Sequence, residues 1–232
     1  MSLSIVMPCF NEEDCIEGVV REFYTKIVEP RPDAEMIIVD DCSTDQTIEI
    51  LGQAQARYPR LQIVRNQVRM GHGKSIRRGY ELASKEYVFQ ADSDGQIDTA
   101  DFLKLEVFKD QYDFVLGLRK RRQDSFLRKW VSQVITVFNF TMFGVWAPDS
   151  NCPCRILKRD VLQALLREID KDAVAPNIMI SVLAKLRHVS MCRVPMDSKK
   201  RISGEGTLLK GVLMKFCFVG LKQLLQFKKA VL

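Results

Sequence analysis

Scarcity narrows the classes open to this chain before any motif does. No secretory leader is legible, because residues 1–4 run straight into Ile5-Val6-Met7 without a basic lead-in or a long apolar core. No disulfide framework is legible either. The seven cysteines are odd in number and scattered through 232 residues, so reduced thiols in a cytoplasmic protein are expected. Cys152-Pro153-Cys154 is spaced too tightly for a zinc knuckle, and no histidine stands near it in sequence. The basic clusters lack interleaved aromatics, which argues against a platform for single-stranded nucleic acid.

A clean membrane span is also missing. Residues 130–147 form a run of 18 without charge, the length at which a span becomes possible. Ser132, Gln133, Thr136, Asn139 and Thr141 interrupt it, so a helix lying on a surface or on the core fits better. Residues 208–232 are apolar too, but Lys210, Lys215, Lys222, Lys228 and Lys229 punctuate them. That pattern suits an amphipathic helix on an anionic surface, with a helix capping the core as the alternative.

What is present describes one folded α/β domain, with 47% hydrophobic and 28% charged residues. The net charge of +6 is modest but clustered, in Arg119-Lys120-Arg121-Arg122, in Arg128-Lys129 and in Lys199-Lys200-Arg201. Such clusters attract phosphates, unless they are merely a solvated face.

Strand and helix patterns alternate along the first half. Residues 3–8, 35–40, 61–64, 87–91 and 114–118 read as short buried strands. Residues 12–28, 44–57 and 74–84 read as helices, the first with Ile16, Val19, Val20, Phe23 and Ile27 on one face and Asn11 as its cap. This order predicts a doubly wound, mostly parallel sheet that binds ligands at the carboxyl ends of its strands. Those ends are acidic. The first strand ends in Asn11-Glu12-Glu13, the second in Asp40-Asp41 and the fourth in Asp92-Ser93-Asp94-Gly95-Gln96. Carboxylates so placed need a compensating cation, and Asp92, Asp94 and Gln96 offer hard oxygens suited to Mg²⁺ or Mn²⁺.

Two tempting motifs fail. Gly73-Lys74-Ser75 resembles the tail of a phosphate-binding loop, but Val68 stands where that loop needs glycine. Gly71-His72-Gly73 begins like a dinucleotide fingerprint, but Ile76 takes the place of its third glycine.

Taken together, Val6-Met7-Pro8-Cys9-Phe10-Asn11-Glu12, Val39-Asp40-Asp41-Cys42-Ser43-Thr44-Asp45 and Ala91-Asp92-Ser93-Asp94-Gly95-Gln96 resemble family 2 glycosyltransferases of the GT-A fold. Asn66, Gly71, Gly73 and Gly79 fall where that family has its asparagine-and-glycine stretch. The resemblance runs from about residue 3 to 206, and within the family the chain looks most like dolichyl- or polyprenyl-phosphate sugar transferases. It implies a transferase domain over 1–207, which with the amphipathic helix read over 208–232 would work in the cytoplasm at the inner face of a membrane. It further implies that Pro8, Asn11 and Glu12 line the nucleoside pocket, with Asp40, Asp41 and Ser93 beside them. Asp92, Asp94 and Gln96 would hold the metal and the diphosphate of a GDP- or UDP-linked sugar, and Arg201 would close over it. Arg119, Arg128 and Ser132 would bind the phosphate of a lipid acceptor, and residues 130–147 would be an amphipathic surface helix. Pro153 departs from the glycine of many relatives, and no Gln-x-x-Arg-Trp motif is found.

A hydroxyl acceptor would need a general base, and none is evident; a base at Asp149 or Asp170 would favour the alternative, a transferase building cell-surface polysaccharide. A phosphomonoester acceptor is already an anion and needs none. Single displacement at the anomeric carbon would invert its configuration.

Overall fold

In the computed structural model the described residues are 1–119, 126–197 and 210–231, without the side chains of 126–131 and 210–218. Lys120, Arg121, Arg122 and the 199–207 segment with Arg201 lie outside the described residues, as do the side chains of Arg128 and Lys129.

Seven strands form one sheet: β1 (Leu3–Cys9), β2 (Ala34–Asp40), β3 (Leu61–Arg65), β4 (Tyr87–Gln90), β5 (Phe114–Arg119), β6 (Arg155–Lys158) and β7 (Met191–Met196). Their order is β3-β2-β1-β4-β6-β5-β7, and β6 alone runs against its neighbours. Every residue of β1 is buried, as the unbroken apolar run of a central parallel strand requires. The helices are α1 (Ile16–Phe23), α2 (Thr47–Arg57), α3 (His72–Leu82), α4 (Thr99–Glu106), α5 (Phe126–Phe143), α6 (Arg159–Arg167), α7 (Pro176–Leu186) and α8 (Lys210–Val231).

The helices cover both faces. Successive strand residues point to opposite sides. Phe89 of β4 packs on Phe23 of α1 and Phe102 of α4, whereas its neighbour Gln90 meets Tyr80 of α3 and Asn177 of α7. Helix α3 comes closest to the sheet at Gly79, where a Cβ would run into Val6 Cγ1.

Three sequence expectations change. The first helix starts at Ile16, not at residue 12, and ends in a π-helical turn, Tyr24–Val28. Asn11 is not its cap, because its side chain is tied to the next strand's loop, accepting from Thr44 N at 2.9 Å. The uncharged 130–147 run is not one helix, because Gly144 adopts φ 68° and ends α5 at Phe143, as a glycine after a helix C-terminus does. Among the described residues no helix is long and apolar enough to cross a membrane. Helix α8 lies within the 208–232 stretch and buries Leu224 and Phe227, the latter against Phe143 of α5.

Candidate active site

Strands β2, β1 and β4 are adjacent and parallel, so the three acidic loops meet at one edge of the sheet. The loops are laced together. Ser93 Oγ donates to Pro8 O at 2.9 Å, Asn11 N to Ser43 Oγ at 3.0 Å and Glu12 N to Thr47 Oγ1 at 2.8 Å. Asn11 (φ 52°), Cys42 (φ 65°) and Asp149 (φ 50°) all adopt the left-handed region, a conformation that L residues hold only where surrounding contacts enforce it.

The two aspartates of the second loop are anchors of backbone. Asp40 is fully buried and receives Ser43 N on both oxygens, with Arg65 Nε 3.4 Å away. Asp41 accepts from Asn66 Nδ2, Met70 N and Gly71 N, each at 2.8 Å, which clamps the loop leading into α3. Beside this loop the Arg69 guanidinium lies 4.0 Å from the centre of the Phe10 ring. Neither that stack nor the clamp on Asp41 was legible in the sequence.

The Asp92–Gln96 turn is different in kind. Asp92 keeps 26% of its side chain exposed, with His72 Nε2 3.6 Å from Oδ1. Asp94 Oδ1 accepts from Gln96 N at 3.1 Å. Among the described residues no three acidic, histidine or cysteine side chains converge on a metal position. Two carboxylates and an amide oxygen nevertheless fit a hard divalent ion that takes its remaining oxygens from substrate phosphates and water. Cys152 and Cys154 are fully buried, and burial pushes the Cys152 thiol up to about 11.

Arg119, at the end of β5, meets Asp149 in a two-pronged pair, with Nε–Oδ2 at 2.9 Å and Nη2–Oδ1 at 2.6 Å. Asp149 also accepts from Arg119 N at 3.1 Å. Ser132 is half-buried on α5, and its carbonyl accepts from Thr136 Oγ1 at 2.9 Å. Asp170 lies in a groove between α3 and α6 with Arg77, Glu81 and Arg167, and its carboxylate accepts from Asp172 N.

The sequence that builds this acidic edge matches a known family. The model described as Glycosyl transferase family 2 covers residues 4–166 of this chain. The chain belongs to glycosyl transferase family 2. A relative in Pseudomonas savastanoi pv. phaseolicola, undecaprenyl-phosphate 4-deoxy-4-formamido-L-arabinose transferase, is 30% identical over 206 residues, 88% of this chain and 59% of the relative. The protein of that name in Pseudomonas fluorescens (strain Pf0-1) is 28% identical over the same shares. The chain thus spans about three-fifths of the length of these curated relatives.

Among solved structures the likeness is one of fold. Glucosyl-3-phosphoglycerate synthase from Mycobacterium tuberculosis, in complex with Mn²⁺, UDP and glucosyl-3-phosphoglycerate, matches with a TM-score of 0.72 at 18% identity, covering 98% of this chain and 80% of that one. Mannosyl-3-phosphoglycerate synthase from Rubrobacter xylanophilus matches at 0.73 and 16%, over 97% and 73%. The mixed sheet described above is therefore the GT-A fold.

Proposed function

We propose that this chain moves a sugar from a nucleotide-diphospho-sugar to a polyprenyl phosphate, with inversion at the anomeric carbon. The observation that carries the acceptor class is the Arg119–Asp149 pair. A guanidinium stands at the site edge, and Asp149, the candidate base beside it, commits both oxygens to it. The curated relatives, named for transfer to undecaprenyl phosphate, support the same acceptor.

In this reading a phosphate oxygen of the acceptor attacks the anomeric carbon, the bond to the diphosphate breaks, and the nucleoside diphosphate leaves with both electrons. No proton needs removing. Arg119, Arg128 and Ser132 orient the acceptor anion, as guanidinium groups do for phosphate. Mg²⁺ or Mn²⁺, held by Asp92, Asp94 and Gln96, would neutralise the charge that grows on the diphosphate. Arg201 closes on that diphosphate. Pro8, Asn11 and Glu12 bound the nucleoside, and the Asp41 clamp holds the neighbouring loop in place for it.

Docking at a membrane surface belongs to the same proposal. Helix α5 turns Val134, Val137 and Phe140 outward and Thr136 and Asn139 inward, the reverse of a helix facing water. Trp146, 57% exposed, stacks edge-on against Phe140. On α8, Leu221 and Leu225 are exposed beside Lys222 and Lys229, as an anionic leaflet would favour.

The test offers UDP- and GDP-linked sugars with a short-chain prenyl phosphate and, separately, the matching prenyl alcohol. Transfer to the phosphate alone, lost in excess chelator, is the expected result. Equal turnover of the alcohol would overturn the acceptor class and favour a transferase to sugar hydroxyls.

A further inference from the structure

Beneath the site, on the sheet face covered by α3 and α7, lies a frame of polar side chains at positions where apolar packing would be expected. Gln90, Tyr80, Asn177, Arg155 and Ser181 are each at most 2% exposed. Toward β4, Asn177 Nδ2 donates to Gln90 Oε1 at 2.9 Å, and Gln90 Nε2 reaches Asp92 Oδ1 at 3.4 Å. Tyr80 Oη stands 2.7 Å from Gln90 Oε1 and 3.0 Å from Asn177 Oδ1, its single proton serving one at a time. Toward β6, the Asn177 carbonyl accepts from Arg155 Nη1 at 3.1 Å. The same guanidinium donates to Ser150 O at 2.9 Å and through Nε to Cys152 O at 3.0 Å. Ser181 Oγ also lies 2.9 Å from Ser150 O. These carbonyls belong to the turn that opens at Asp149, the residue gripping Arg119.

Such a frame is costly to bury. Arg155 keeps its charge, and every acceptor bonded to it is a neutral carbonyl oxygen. Buried polar groups survive where each is satisfied and the geometry they impose is needed. Here the imposed geometry has two ends, Asp92 on one side and the Asp149–Arg119 pair on the other.

We propose that Asn177 and Gln90 are positioning residues for Asp92, and that Arg155 and Ser181 position Arg119 through the Asp149 turn. One frame thereby sets the span between the donor and acceptor subsites. The inference rests on the proposed function, which gives those two ends their roles.

The test separates the two ends. Asn177→Leu removes the donor to Gln90 while Tyr80 can still satisfy Gln90 Oε1. Mn²⁺ alone, titrated into the full chain and read by loss of its free-ion electron paramagnetic resonance signal, should bind about tenfold more weakly, the usual scale for losing an outer partner of a ligand. The KM for a short-chain prenyl phosphate should stay unchanged. Ser181→Ala should do the opposite, raising that KM about threefold, as one hydrogen bond would, with Mn²⁺ affinity unchanged. A merely structural network predicts a lower melting temperature with both parameters moving together or neither. Wild-type Mn²⁺ affinity in folded Asn177→Leu overturns the frame. If that variant does not fold, Gln90→Met carries the same measurement, and an unchanged affinity overturns the frame equally. A wild-type chain that binds no Mn²⁺ instead overturns the donor-side assignment on which the frame rests.

Discussion

Strands β1 to β4 and strands β5 to β7 are assembled differently. In the first group each strand is followed by a helix and then by another parallel strand, and β3, β2, β1 and β4 end side by side. In the second, β6 returns antiparallel between β4 and β5, and β7 closes the sheet beside β5. The first group carries the acidic loops and the second carries Arg119. The acidic edge is thus built by repeating one local unit, whereas the Arg119 end depends on contacts between distant segments. Under the proposed function the two halves have separable duties, and five variants would break or sharpen that division.

The largest effect is expected in the first half. Asp94→Asn should cut turnover by at least about 10², the scale of losing one electrostatic stabiliser of the leaving group, with little change in melting temperature. Activity that persists in excess chelator would remove the metal from the donor side. Next come the paired arginines. Arg119→Ala should raise the KM for prenyl phosphate about tenfold or more and leave the donor KM nearly unchanged, while Arg201→Ala should weaken the donor first. If both variants shift the same KM, Arg119 does not serve the acceptor alone.

A smaller, purely structural effect checks the rigidity of the first half. Gly79→Ala should destabilise the fold by about 1–3 kcal/mol in a denaturant titration, because the new methyl must displace Val6 in the centre of β1. Tolerance without loss would mean that α3 sits less tightly on the sheet than described. The smallest change in folding is expected from Leu221→Ser with Leu225→Ser, both exposed on α8. Stability should hold within about 0.5 kcal/mol while binding to anionic vesicles falls. Unchanged vesicle binding would take α8 out of the membrane contact.

The contrast between halves also marks what could be read ahead. Five strands, and the acidic loops at the ends of β1, β2 and β4, were legible because buried parallel strands are apolar runs and their ends are abrupt. Strands β6 and β7 were not. Arg155 opens β6 with a charge, and β7 carries Arg193 and Pro195, so neither shows an apolar run or a clean alternation. The same interruptions hid the frame, although Gln90 at the end of Tyr87-Val88-Phe89 was a polar residue in an otherwise apolar strand, the kind of misfit that signals a network. Asp149 was noticed only as a base for a hydroxyl, since sequence spacing shows a carboxylate but not its partner.

By itself the sequence determined the alternating α/β order, the acidic edge and the family to which the chain belongs, because these depend on local periodicity and on motifs a few residues long. Tertiary structure alone decided that Asp41 clamps a loop, that Asp149 grips Arg119 and that β6 runs backwards between two parallel strands. Each of those outcomes joins segments at least 25 residues apart, as between Asp41 and Asn66. Which partner satisfies a buried charge is settled only when the sheet brings such segments together, since local pattern specifies burial and direction but not the group that arrives from elsewhere.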